Sequence, residues 1–125
     1  MDDLEKAVEL LKKHEVRWVH SAFADIRGLI HDVVIPAKLY MSGYAFTDGI
    51  GFDGSSIRGF KTIEESDMIF MPDPKTLAII PWTSDANQKS AIVLGDIYEA
   101  YGGKEPSEVD PRGYVAKRAV KTAEA

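Results

Sequence analysis

The hydrophobic period of this chain changes once near its start, and the change limits the folds open to it. From Asp2 to His14 apolar residues recur at helical spacing, with Leu4, Ala7, Val8 and Leu11 on one face. Asp2 and Asp3 suit the positive end of a helix dipole, and Lys12, Lys13 and His14 suit the negative end. At Val16 the period falls to two. Val16, Trp18, His20 and Ala22 alternate with Arg17, Val19, Ser21 and Phe23, the pattern of a strand covered in part on both faces. Asp25-Ile26-Arg27-Gly28 has aspartate first and glycine fourth, as a type I turn favours. Residues 29–35 then read as a returning strand stopped by Pro36, which makes the pair a β-hairpin.

A short helical piece is expected at residues 37–42, ended by Gly43. Met68-Ile69-Phe70-Met71 reads as a strand closed by Pro72-Asp73-Pro74. Residues 77–82 and 91–98 read as two more, joined by a polar stretch. The sum is an α+β fold: an N-terminal helix with a mixed or mostly antiparallel sheet of five to six strands. A chain of 125 residues has room for one domain with a real core. Gly102-Gly103-Lys104-Glu105-Pro106-Ser107 has the composition of a linker. Asp110-Pro111 starts a helix, with aspartate as N-cap and proline at the first helical position. That helix begins a new unit with almost nothing left to pack against, so the chain is expected to be a fragment. The expected division is one domain over residues 1–103, with 104–125 as linker and first helix of a second domain.

Composition excludes several classes of function. The net charge is −5, and no Lys/Arg cluster is dense enough to track phosphates, which argues against nucleic acid as a partner. No apolar run is long enough to span a bilayer, and the acidic start does not read as a secretory signal. The absence of cysteine removes disulfides, thiolate metal sites and thiol nucleophiles together. A cytoplasmic location is the expectation.

The segment Gly49-Ile50-Gly51-Phe52-Asp53-Gly54-Ser55-Ser56-Ile57 is the richest in chemistry. Its glycines let backbone approach a ligand closely, and its hydroxyls can bond either ligand or main chain. Two readings of Asp53 stand side by side on this chemistry: a carboxylate presented from a fixed loop, or a tight turn in which aspartate bonds its own backbone. Glu64, Glu65 and Asp67 form an acidic knot, either a solvated edge or a wall that attracts cations. His14, His20 and His31 share no metal-ligand spacing; His14 reads as a solvated helix end, and the other two as residues on paired strands. Ser55 and Ser56 have no recognisable histidine partner, and no Gly-Lys-Ser/Thr ending marks a P-loop. Trp18 and Trp82 read as core or interface residues. No complete active site can be assembled from these residues.

Phe52-Asp53-Gly54-Ser55-Ser56-Ile57, Glu65-Ser66-Asp67-Met68 and Pro72-Asp73, in this order and spacing, resemble the N-terminal domain of type I glutamine synthetase. Phe23-Ala24-Asp25-Ile26-Arg27-Gly28 is similar to that family's first hairpin, and Asp110-Pro111-Arg112 to the approach to its catalytic domain. The resemblance covers essentially the whole chain. It implies a β-grasp-like domain followed by a larger catalytic domain, and ATP- and Mg2+- or Mn2+-dependent joining of ammonia to glutamate through γ-glutamyl phosphate. It implies a homo-oligomer whose active sites lie between subunits, this domain closing over the catalytic domain of its neighbour. Asp53 then matches the residue that helps bind ammonium and receives its proton, Ser56 a serine of the same pocket, and Asp67 the aspartate of the second block. The groups that bind metal, nucleotide and glutamate would lie in the catalytic domain, so residues 1–125 alone are expected to hold no cofactor and to be inactive. Two other readings are a free-standing β-grasp interaction module and the same domain of a related γ-glutamyl amine ligase.

Overall fold

A computed structural model describes residues 2–25, 27–53, 67–83, 89–99, 107 and 110–124. Helix α1 (Asp3–Lys13) starts where Asp2 caps it, the Asp2 carboxylate accepting from the Glu5 amide at 2.8 Å. It stops without glycine. The Val16 amide donates to Leu11 O and the Glu15 amide to Lys12 O, with Glu15 at φ 53°. That is a Schellman ending in which a non-glycine residue takes the left-handed position. The same turn brings Val16 down beside Leu11, and both are buried.

The expected hairpin is present. Strand β1 (Trp18–Ala24) pairs antiparallel with β2 (Ile30–Pro36), Trp18 opposite Pro36 and Ala24 opposite Ile30. Helix α2 (Ala37–Met41) follows and ends before Gly43 at φ 86°. A further short helix, α3 (Tyr44–Asp48), leads into strand β3 (Ile50–Asp53). Strand β4 (Asp67–Pro72) matches the expected apolar run, and β6 (Ser90–Glu99) the last one. The stretch 77–82 is a correction: only β5 (Ala78–Ile79) is strand. Tight 3-10 turns at Pro74–Thr76 and Pro81–Thr83 flank it. Proline has no amide to give a ladder, and its fixed φ favours such turns.

The sheet runs β2-β1-β6-β4-β3, with β5 pairing the start of β6. β1 and β6 are parallel and every other pairing is antiparallel, so the sheet is mixed, as expected. Val19 and Phe23 of β1, Val93 and Ile97 of β6, and Met68 and Phe70 of β4 share one face. Ala7 and Leu11 of α1, Tyr40 of α2 and Phe46 of α3 close over it. Burying each large apolar side chain stabilises the fold by about 1.5–3 kcal/mol. One polar contact lies inside this core: the hydroxyls of Ser21 and Tyr40 share a hydrogen bond at 2.5 Å. Burial pushes the Tyr40 phenol up to about 12, with the Ser21 bond working the other way. Trp82 stands 84% exposed, outside the core.

The chain after β6 returns to the sheet. β1 pairs β6 only as far as Leu94, so the far half of that β6 edge needs other partners. The Ile97 amide donates to the Asp110 carboxylate at 2.7 Å, and the Ser107 amide donates to Ile97 O at 2.6 Å. Asp110 is fully buried and also caps the next turn, accepting from the Arg112 amide. Desolvation raises its pKa, against the amide bonds that favour the charged form. A π-helical turn (Pro111–Ala116) then opens into α4 (Lys117–Glu124), whose residues through Ala123 are exposed. Asp110 is therefore an N-cap as expected, and the start of this helix is tied to the sheet rather than loose.

Candidate functional site

Strand β3 carries Asp53 and owes its place to Gly49. That glycine sits at φ 79°, and a Cβ there would lie 2.5 Å from Ile69 Cγ2 and 2.9 Å from Phe70 O. Only a residue without a side chain can turn here while passing so close to β4. Gly51, by contrast, has open space where its Cβ would be. β3 then pairs antiparallel with β4, Ile50 opposite Phe70, Phe52 opposite Met68 and Asp53 opposite Asp67.

This register brings two of the three expected site residues to one rung at the end of the sheet. Asp67 is exposed, and Glu99, which ends β6, is one rung away opposite Met68. Ser56 lies outside the described residues, as do Glu64 and Glu65, and Asp53 is described in its backbone only. The glycine-rich composition of residues 49–57 suggests a loop, whereas Asp53 ends a strand. Its pattern was hidden by two glycines in three residues, whereas Glu99 follows directly from the length of β6.

An aromatic chain braces this end. Phe52 packs on Phe23 with centroids 4.9 Å apart, and Phe23 stacks on His31 at 5.7 Å. His31 Nε2–H in turn donates to Asp25 at 2.8 Å. The Asp25 carboxylate, fully buried, also accepts from the Arg27 guanidinium and from the amides of Arg27 and Leu29. The His31 bond above all, with the Arg27 and turn bonds, holds its pKa well below the usual carboxylate range despite burial. Asp25 is thus the organiser of the hairpin turn. His20 and His31 lie on the paired strands as expected, His20 Nδ1–H donating to Asp32 at 2.5 Å, and His14 is the exposed helix cap.

Among the described residues no group of three His, Cys, Asp or Glu side chains is placed to hold a metal ion. No helix among the described residues is long and apolar enough to cross a membrane.

A family model described as glutamine synthetase, beta-Grasp domain, matches residues 15–100. The chain belongs to this glutamine synthetase domain family. Among curated relatives, the glutamine synthetase of Archaeoglobus fulgidus is 56% identical over 118 residues, covering 94% of this chain and 24% of its own length. That of Thermotoga maritima is 40% identical over 121 residues, covering 97% and 26%. The chain thus spans about a quarter of the relatives it matches. A cryo-EM structure of Plasmodium falciparum glutamine synthetase superposes over 99% of this chain and 23% of its own, with a TM-score of 0.79 at 19% identity, a likeness of fold. The family and the α+β, β-grasp architecture expected from the ordered motifs are both found.

Proposed function

We propose that this chain is the N-terminal domain of a glutamine synthetase, and that it supplies the β3–β4 end to a catalytic site completed by another subunit. The intact protein would join ammonia to glutamate with ATP and Mg2+ or Mn2+, in the cytoplasm, as a homo-oligomer. The observation that carries the reading is the rung itself: the two aspartates of the family's motifs are register partners at the outermost described rung of the β3–β4 ladder. Ser56 would line the same ammonium pocket. The groups that bind nucleotide and metal are assigned to the catalytic domain on the family resemblance. The domain division, residues 1–103 and 104–125, is proposed on the linker composition of Gly102-Gly103-Lys104-Glu105-Pro106-Ser107 and the helix start at Asp110-Pro111.

The chemistry open to Asp53 follows from proton affinities. A free aspartate titrates near 3.9 and an amine-type cation near 10, so stripping ammonium outright is uphill by about six units, or roughly 8 kcal/mol. Asp53 instead concentrates and orients the cation as a fixed negative charge. It takes the proton only as nitrogen attacks the acyl phosphate, when that proton becomes far more acidic. The test is Asp53→Ala in the longer protein. Glutamine formation is expected to fall by about 100-fold or more with ATP affinity unchanged. Unchanged turnover would remove Asp53 from the mechanism, and glutamine formation by residues 1–125 alone would overturn the division of labour.

A further inference from the structure

Two of the motifs, Pro72-Asp73 and Asp110-Pro111-Arg112, do not reach the Asp53 end of the sheet. They reach each other. Arg112 Nη2 donates to Asp73 Oδ2 at 2.8 Å, and Nη1 donates to Asp96 Oδ1 at 2.6 Å. The Lys117 ammonium donates to the other oxygen of Asp96. One planar guanidinium therefore spans two carboxylates from separate elements, the residue after β4 and the middle of β6. A guanidinium fork fixes direction as well as distance, which a point charge does not. The node is partly shielded, Asp96 being mostly buried and Arg112 and Asp73 about a third exposed. Beside it, Asp110 and Ser107 hold both backbone groups of Ile97.

Burial works against charge at Asp73, yet the Arg112 bond and the Lys75 amide keep its pKa below the ordinary value. Arg112 is raised in turn by both carboxylates, against its own desolvation. Asp73 and Arg112 therefore both stay charged at neutral pH.

We infer that Arg112, gripping Asp73 and Asp96, is a joint that fixes the direction in which α4 leaves the sheet. β4 runs straight from the Asp67 rung to Asp73, about 20 Å at strand rise. The joint is therefore coupled through a single strand to the Asp53–Asp67 end. Arg112 is a positioning residue: it sets how that rung is presented relative to whatever α4 leads into. This last consequence rests on the glutamine synthetase reading, whereas the joint does not.

The test uses residues 1–125, which contain no cysteine, so two introduced cysteines can be spin-labelled uniquely. Labels at Glu9→Cys and Lys121→Cys report the angle of α4 by pulsed electron resonance. Labels at Glu9→Cys and Val34→Cys report the sheet. The parent is expected to give one narrow distance distribution for each pair. Arg112→Gln should make the first distribution about twofold wider, as a freed helix samples a cone of directions, and leave the second unchanged. Arg112→Lys, which restores charge but can grip only one carboxylate, should fall between. A broad parent distribution, or an unchanged width in folded Arg112→Gln, overturns the joint. If Arg112→Gln fails to fold, Asp73→Asn removes one arm only and is judged by the same widths. Failure of the enzymatic reading would appear in turnover of the longer protein and leave these distances untouched.

Discussion

Asp53 and Asp67 are partners across the outermost described rung of the β3–β4 ladder. Asp67 is exposed, and Asp67→Asn is expected to change the stability of residues 1–125 by no more than about 1 kcal/mol. In the longer protein the same change should raise the KM for ammonium more than that for ATP. Thermal melts and steady-state kinetics read the two effects. A clear loss of stability would instead mark Asp67 as a residue of the fold.

Asp25 sets the acid limit of the hairpin. Its folded pKa lies below its unfolded one, so the stability it contributes is fully present above about pH 4 and is lost as pH falls from there. Asp25→Asn cannot accept as an anion from His31 and Arg27, and lowers the melting temperature at neutral pH. The gap between parent and variant should close as pH is lowered below about 4. A gap independent of pH would assign the effect to turn geometry alone.

The burial of Tyr40 gives a matching limit at high pH. Tyr40 titrates near 12 when folded and near 10 when unfolded, so stability is complete below about pH 10 and declines as pH rises towards 12. In an absorbance titration Tyr40 should ionise together with unfolding. Tyr40→Phe strands the Ser21 hydroxyl and should cost about 1–2 kcal/mol. Adding Ser21→Ala should recover part of that loss, as expected for a coupled pair. Strict additivity would show that the two hydroxyls do not cooperate.

Gly49 and Gly51 look alike in the sequence and differ in what surrounds them. Gly49→Ala faces both a left-handed φ and the Phe70 carbonyl, and should destabilise by about 1–3 kcal/mol. Gly51→Ala meets open space in a strand and should be neutral or slightly stabilising. Denaturant midpoints of the two variants decide the matter. Equal values would mean that β3 is not held by its first turn.

Much of this architecture was legible because local pattern and tertiary placement agree. The Asp2 cap, the change of period at Val16, the Asp25–Gly28 turn and the apolar runs of β4 and β6 each carry a strong signal over several residues. β3 carries none. It is a strand because β4 pairs with it and Phe52 packs on Phe23, a case of tertiary contact overriding weak propensity. The shortening of residues 77–82 to β5 shows the reverse, with prolines at 74 and 81 cutting an apolar run that looked continuous. The motif blocks named the family and the aspartates. The rung joining Asp53 to Asp67 and the grip of Arg112 are non-local, and no periodicity in one chain encodes them.

The place of β6 has a consequence for synthesis. It is the last of the described strands in chain order, yet it lies between β1 and β4 and joins the two halves of the sheet. Until residues 90–99 emerge, no described strand joins the β1–β2 and β3–β4 pairs, and a two-stranded pair is marginal in water. The parallel β1–β6 pairing must then close the longest loop in the sheet, a slow step by its contact order. A ribosome that stalls before Ser90 leaves the two strand pairs unjoined and prone to associate, and the join is complete only once Asp110, which holds the Ile97 amide, has also been made.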